Sequence, residues 1–535
     1  MTDSFARDNL PPPGSWPDLI FARPELQYPA RLNCVSVLLD AWTHRGHADQ
    51  PCLISPTEAL TYGQLQALVN RIAHVLVHRL DVVPGGRVLL RAANTPMMVA
   101  CYLAVLKAGA IAVATMPMLR AGELVYPIRK ARTALALCDL RLAADLEAAR
   151  AQAPELARVV YFNSAHADGL EAMIADAPDT FVAADTAADD VCLIGFTSGT
   201  TGEPKGTVHF HRDMLAICDG YAGHILRATE ADRFIGSPPL AFTFGLGGLV
   251  LFPLHAGASV VLLERAGPDE LLDAIPRFGA TICFTAPTAY RAMLARWPQQ
   301  GLPSLRRCVS AGEMLPPATF DAWRAATGLT LMDGIGATEM LHIFIASRPE
   351  DARAGATGKP VPGYEARVVD AAGQPVPDGV VGRLAVRGPT GCRYLADPRQ
   401  SAYVQDGWNI TGDAYLRDAD GYFRFQARAD DMIVSSGYNI AGPEVEAALL
   451  LHPAVAECAV VGVPDADRGM LVGAYVVLHP GYSPDGVMAG TLQNFVKATI
   501  APYKYPRHVE FRDMLPKTQT GKLQRFRLRQ EIVAS

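Results

Sequence analysis

The sequence predicts an α/β protein: a large N-terminal domain of parallel sheets covered by helices with a small barrel-like subdomain, then a small α+β C-terminal domain. Three observations carry this. GRVLLRAAN, PMMVACYLAVLKAG and AIAVATM read as strand, helix, strand, and ADRFIGSPPL, LVLFPLHAG and ASVVLLE repeat the order. Short β-branched runs alternating with helical stretches imply parallel strands with helices across both faces. From about Pro362 the texture changes to YEARVVDAAGQPVPDGVVGRLAVRGP, strands punctuated by Gly and Pro turns, as in a small antiparallel section. Finally, QARADDMIVSSGYNIAGPEVEAALLLHPAVAECAVVGVPD packs a charged turn, a glycine turn, a helix and a strand into one stretch. A new domain therefore opens near Arg428 to Asp431, dividing the chain into 1–429 and 430–535.

The remaining elements follow from length and composition. At 535 residues the chain exceeds one ordinary domain of roughly 100–200 residues. The apolar run from Met97 to Met118 is interrupted by Lys107 and an Ala-Gly break, so it reads as a buried helix turning into a strand rather than a membrane span. ICFTAPT and RRCVSAGE read as strands ending in loops, where open α/β sheets gather their ligands. The formal charge of -6 argues against a nucleic-acid backbone as the main partner. Ten cysteines are scattered singly, with no C-x-x-C and no Cys/His zinc spacing, and are expected as reduced thiols. The N-terminus MTDSFARDNLPPPGSWP lacks the basic start and apolar core of a signal peptide, so a cytoplasmic protein without a membrane partner is expected.

One stretch carries chemistry by itself: FTSGTTGEPKGTVHFH, from Phe196 to His211. Glycines let successive N–H groups turn inward into a concave anion site, hydroxyls add donors, and Lys205 adds charge. Such a loop suits a polyphosphate. The Walker spacing G-x-x-x-x-G-K-[ST] is absent, however, since Gly199, Gly202 and Lys205 stand three apart. On composition alone a solvated surface loop fits equally.

Further motifs follow in order: PPLAFTFG from Pro238, SAGE from Ser310, GIGATE from Gly334, TGD from Thr411, ARADDMI from Ala427 and PKTQTGK from Pro516. With TSGTTGEPKG they span the chain, which resembles the adenylate-forming superfamily of acyl-CoA synthetases, peptide adenylation domains and firefly luciferases. That resemblance implies an acyl-CoA synthetase-like fold and two steps. A carboxylate first attacks the α-phosphate of ATP; a thiol then displaces AMP from the acyl-adenylate. It implies that Thr197, Ser198, Gly199, Thr200, Thr201 and Lys205 handle the β- and γ-phosphates, with Gly334 also at the nucleotide. Thr338 would touch the α-phosphate and Glu339 would hold Mg²⁺, a hard cation suited to carboxylate and phosphate oxygens. Asp413 would accept from the ribose hydroxyls and Arg428 would contact ribose or phosphate, although Ala427 replaces the glycine usual before this arginine; as an isolated pair they would serve equally as a surface salt bridge. Lys522 resembles the lysine that bridges carboxylate and α-phosphate, and Asp430 the hinge about which a mobile C-terminal domain turns. A turn aspartate would look the same.

Superfamily membership leaves the acid open. By resemblance the acyl pocket takes Phe242, Phe244, Ala337, Met340 and His342, which suits a small aromatic ring with a polar edge. Phe242 and Phe244, if on one strand, share a face and would serve equally as core. GATEMLHIFIASRPEDARAGATGKPVPGYE resembles aryl-CoA ligases of the benzoate type, and SPPLAFTFGLGGLVLFPL, QARADDMI and SGYNIAGPEVE are similar to the 2-aminobenzoate branch. The expectation is 2-aminobenzoate, with benzoate or salicylate as alternatives. His342 would meet the ortho substituent or ring edge; a satisfied core histidine is the other reading. CoA is the expected thiol, with Gly437 lining its tunnel and Lys504 and Arg507 as cations for its phosphates, or merely as solvated charges. A separate carrier protein as acceptor and a non-catalytic binding module are the rival readings.

Overall fold

The computed structural model describes residues 2–197, 204–298, 301–428, 431–435, 438–465, 469–500, 502–517 and 523–534. Two large sheets form the N-terminal part, one of nine strands and one of six. The strands Arg233–Gly236, Ser259–Val261, Ile282–Thr285, Arg307–Ser310 and Leu331–Gly336 pair in parallel in the first. In the second, Arg87–Arg91, Ile111–Thr115, Leu135–Asp139 and Arg158–Phe162 do the same. Every residue of Ile111–Thr115 and Leu135–Asp139 is buried, as strands covered on both faces must be.

The run from Met97 divides as expected, into helix Pro96–Lys107 and strand Ile111–Thr115. Lys107 is tolerated inside because its ammonium donates to Asp40 at 2.7 Å and Asn70 at 2.6 Å. Among the described residues no helix is long and apolar enough to cross a membrane, and all ten cysteines are free thiols.

Past Pro362 the chain forms a five-stranded antiparallel sheet from Glu365–Val369, Gly382–Arg387, Val404–Gln405, Trp408–Arg417 and Phe423–Arg428. A further five-stranded sheet is built wholly from residues after 431, with its own core of Ile433, Ile440, Val445, Leu449, Val460 and Val472. Arg291, in helix Pro287–Leu294, reaches it by donating to the Ala456 carbonyl at 2.7 Å.

One expectation changes. Phe242 and Phe244 do not alternate along a strand: the strand stops at Gly236, and Phe244 lies in the helix Thr243–Leu246 that Phe242 precedes. Pro238 and Pro239 cannot donate to a ladder, and the Phe242 N–H turns back onto the Pro239 carbonyl at 3.0 Å. The helix passes into a π-helical stretch, Gly247–Leu251, before Phe252–Ala256. Such wide turns are rare and gather at functional sites.

Candidate active site

The two arms of the glycine-rich hairpin are Val191–Thr197 and Lys205–Phe210, antiparallel with Thr197 opposite Lys205. Ser198, Gly199, Thr200 and Thr201 lie outside the described residues, as do Asp430, Gly437, Lys522 and the side chain of Arg428. The second arm is flanked by the 393–395 segment, since the Val208 N–H donates to Arg393 and the Leu395 N–H to Gly206, both at 2.8 Å. That pairing sets Tyr394 beside Lys205. The Lys205 ammonium is 3.3 Å from the Tyr394 hydroxyl and 5.0 Å from its ring centroid. The same hydroxyl donates to Glu339 Oε1 at 2.5 Å. Burial and the Glu339 charge push the phenol well above its ordinary range, so it stays a donor.

Glu339 sits in a short 3₁₀ turn, Thr338–Met340, and is 8 % exposed. The turn is held from beneath. His209 Nε2 lies 2.7 Å from the Thr338 carbonyl, and because a carbonyl only accepts, that nitrogen carries the proton. His209 Nδ1 is 3.5 Å from Asp213, which in turn accepts from Arg393 at 2.9 Å; all three side chains are fully buried. Burial alone would raise the Asp213 carboxyl, yet the Arg393 guanidinium and His209 hold it down to about 2. From the other side, Gly195 lets the first hairpin arm approach Thr338, whose methyl would stand 3.0 Å from a Cβ there.

The corner continues into the aromatic region through Leu341, a non-glycine residue at φ 69, a strained conformation of the kind found at functional sites. His342 follows, 2 % exposed, with its ring 4.6 Å from Phe252 edge-on, 5.7 Å from Phe244 and 5.6 Å from Tyr221. Gly247 makes this possible: a Cβ there would lie 2.3 Å from His342 Cδ2. Among the described residues neither ring nitrogen makes a hydrogen bond of normal geometry. Burial drives the imidazole down to about 3, and a weak hydrogen bond with the Phe244 backbone offsets only part of it, so the ring is neutral at physiological pH. Among the described residues His342 is thus buried with little beyond a weak backbone contact to satisfy it.

The other residues expected at the acyl pocket separate. Phe242 and Thr338 line a cavity of about 10 Å³, room for roughly one water, together with Tyr102, Leu193, Gly195 and Thr243. Phe244 packs against Phe284 and His342 instead, and Ala337 is half-buried. Met340 is fully buried core, its carbonyl taken by Thr390 at 2.8 Å. Consecutive residues of a tight turn face different ways, so Glu339 turns to Tyr394 while Met340 turns inward.

Asp413 is 7 % exposed and pairs across the ladder with Arg428, which brings the TGD and ARADDMI motifs side by side. Gly334 is buried in the strand Leu331–Gly336. Beside it, burial pushes the Asp333 carboxyl up to about 8, and among the described residues its Oδ1 has no hydrogen-bond partner. Sequence reasoning passed over Asp333, His209 and Tyr394, although the first directly precedes GIGATE and the second lies within TVHFH. Lys504 is paired with Glu444 at 2.5 and 2.6 Å, and Arg507 stacks 4.5 Å from the Tyr505 ring. The charge of Lys504 is therefore already matched.

Among the described residues no group of three or more His, Cys, Asp and Glu side chains gathers to hold a metal. A magnesium ion here would rest on one protein carboxylate, Glu339, and on nucleotide phosphates, the arrangement such ions favour. Tyr394 occupies Oε1; among the described residues Oε2 makes no hydrogen bond, so the donor set fits.

A model of the AMP-binding enzyme family matches residues 40–394, and its C-terminal domain model matches 444–522. The chain is a member of the AMP-binding enzyme family. It is 37% identical over 512 residues to the benzoate–CoA ligase of Thauera aromatica, covering 95% of this chain and 97% of that one. The structure of the anthranilate CoA ligase AuaEII in complex with anthranoyl-AMP superposes with a TM-score of 0.90 at 36% identity, over 96% of this chain and 99% of that one. A benzoate CoA ligase from Burkholderia xenovorans LB400 gives 0.86 at 34%, over 93% and 100%. Within the AMP-binding enzymes the chain thus falls among the AMP-forming aryl-CoA ligases, whose co-substrates are ATP with Mg²⁺, and CoA.

Proposed function

We propose that the protein converts 2-aminobenzoate to its CoA thioester through an aryl-adenylate, releasing pyrophosphate and then AMP. The observation that carries the choice of acid is His342, neutral and, among the described residues, left with no more than a weak contact to the Phe244 backbone beside the rings of Tyr221, Phe244 and Phe252. A buried imidazole without a partner is costly, by about 1–3 kcal/mol. An ortho-amino group on a flat ring would relieve that cost as donor or acceptor, and fatty acids have nothing to offer it. Benzoate is the second reading, favoured by the 37% identity to a benzoate–CoA ligase.

In this reading the hairpin loop and Lys205 grip the β- and γ-phosphates, Thr338 meets the α-phosphate, and Asp413 with Arg428 binds the ribose. Magnesium held by Glu339 would neutralise phosphate charge as two anions are brought together. The aryl carboxylate oxygen forms a bond to the α-phosphorus while the bond to pyrophosphate breaks, and Lys522 bridges the two anions. Catalysis is then positioning and charge neutralisation, since both reactants carry their own reactive groups. The CoA sulfur next bonds to the acyl carbon, AMP leaves, and the thiol proton goes to solvent. The unit from 430 onward, turning about Asp430, exchanges Lys522 for the thiol path containing Gly437.

The test is a panel of 2-aminobenzoate, benzoate, salicylate, 4-aminobenzoate and hexanoate with ATP, Mg²⁺ and CoA, reading AMP, pyrophosphate and thioester. Preference for 2-aminobenzoate is expected; equal turnover of benzoate removes the specificity argument, and pyrophosphate without thioester removes CoA as acceptor. Lys522→Ala should abolish adenylation while sparing thioester formation from supplied aryl-adenylate, and equal loss of both refutes its role.

A further inference from the structure

Tyr394 belongs to none of the nucleotide motifs, yet it touches two residues those motifs supply. Its ring is fully buried and fixed: the backbone on either side is tied to Gly206 and Val208, its N–H donates to Gln400 at 2.9 Å, and Tyr403 packs edge-on at 5.7 Å. A phenol has one proton, and here it goes to Glu339 Oε1 at 2.5 Å, leaving the oxygen to accept from Lys205 at 3.3 Å. The result is a one-way chain, ammonium to phenol to carboxylate, in which each bond strengthens the next.

We infer that Tyr394 is a positioning residue for magnesium: its hydroxyl fixes the Glu339 carboxylate with Oε2 presented to the cation and couples that carboxylate to Lys205 at the phosphates. The inference rests on the assignment of Glu339 to Mg²⁺. A glutamate has several rotatable bonds, and one oxygen held by a rigid donor removes most of that freedom before the ion arrives. Partners of this kind behind a metal-binding carboxylate commonly change metal affinity by about 10–100-fold. Coupling through one oxygen also makes the effect reciprocal, so nucleotide at Lys205 favours the ion and the ion favours nucleotide.

Calorimetric titration of ATP, with EDTA and with graded Mg²⁺, tests this in the wild type, Tyr394→Phe, Glu339→Gln and the double variant. Tyr394→Phe should leave affinity in EDTA within about threefold and raise the Mg²⁺ concentration for half-maximal ATP binding about tenfold. Added to Glu339→Gln, it should do nothing more. A wild-type Mg²⁺ dependence in Tyr394→Phe, or an undiminished effect in the Glu339→Gln background, overturns the inference while leaving the assignment of Glu339 standing. If Glu339→Gln itself keeps the wild-type dependence, that assignment falls and takes the inference with it. Without any tyrosine substitution, Mg²⁺ added to the ATP-bound wild type should give a tyrosine near-UV difference signal that Glu339→Gln lacks; no signal in the wild type also overturns it.

Discussion

Replacing His342 by leucine, of similar volume, should make the protein more stable while spoiling its choice of acid. Among the described residues both ring nitrogens are buried without a well-formed hydrogen bond, a cost of about 1–3 kcal/mol that an apolar side chain does not bear. Acid enlarges the gap. The folded-state value of about 3 lies below the ordinary 6.5, so between those limits the unfolded chain binds a proton that the native one refuses. Wild-type stability is therefore lost as pH falls from 6.5 toward 3, and by pH 5 this one group has cost about 2 kcal/mol. Leucine removes the dependence. Thermal unfolding of both proteins at pH 7, 6 and 5 reads it directly: the melting-temperature difference should favour His342→Leu and widen with each step. In the panel assay, kcat/KM for 2-aminobenzoate should fall about tenfold relative to benzoate, the value of one hydrogen bond. A constant or reversed melting difference would mean that the imidazole has a partner, and the reasoning for an amino substituent would fail with it.

Gly247→Ala places a methyl 2.3 Å from His342 Cδ2 and should cost about 1–3 kcal/mol of stability by overpacking, raising KM for the aromatic acid and not for ATP in steady-state assays. Asp213→Asn strips the counter-charge from buried Arg393 and should cost about 3–5 kcal/mol in denaturant unfolding at neutral pH. Since the Asp213 carboxyl is held at about 2, below its ordinary 3.8, its stabilisation is complete above 3.8 and lost as pH falls toward 2, so the variant should lack that part of the acid transition.

Much of the fold was legible because it is local: the strand, helix, strand rhythm and the proline and glycine turns lie in contiguous sequence. The nucleotide motifs were legible for the same reason. Tyr394 was not, because its partners Lys205 and Glu339 are 189 and 55 residues away and are brought to it by strand pairing that sequence periodicity does not reveal. Met340 was placed at the pocket by resemblance alone, and the tight turn buries its side chain in the core, which no sequence period announces. The aromatic surroundings of His342 depend on Gly247 and a π-helical widening, a packing event between distant segments.

Thr338, Glu339 and His342 lie within five residues, joined through the strained Leu341. In the proposed function the metal carboxylate and the ring-sensing imidazole are thus two ends of one short lever. Redesign of acid preference through residues 337–342 would disturb Mg²⁺ and ATP together, so variants selected there for a new ring would tend to be slow at adenylation. Tyr221, Phe242, Thr243 and Phe252 stand on elements other than this turn. On that proposal, changes there would reshape the aromatic wall while Glu339 keeps its place, which would make that wall the route by which a new aromatic substrate is acquired without sacrificing the first chemical step.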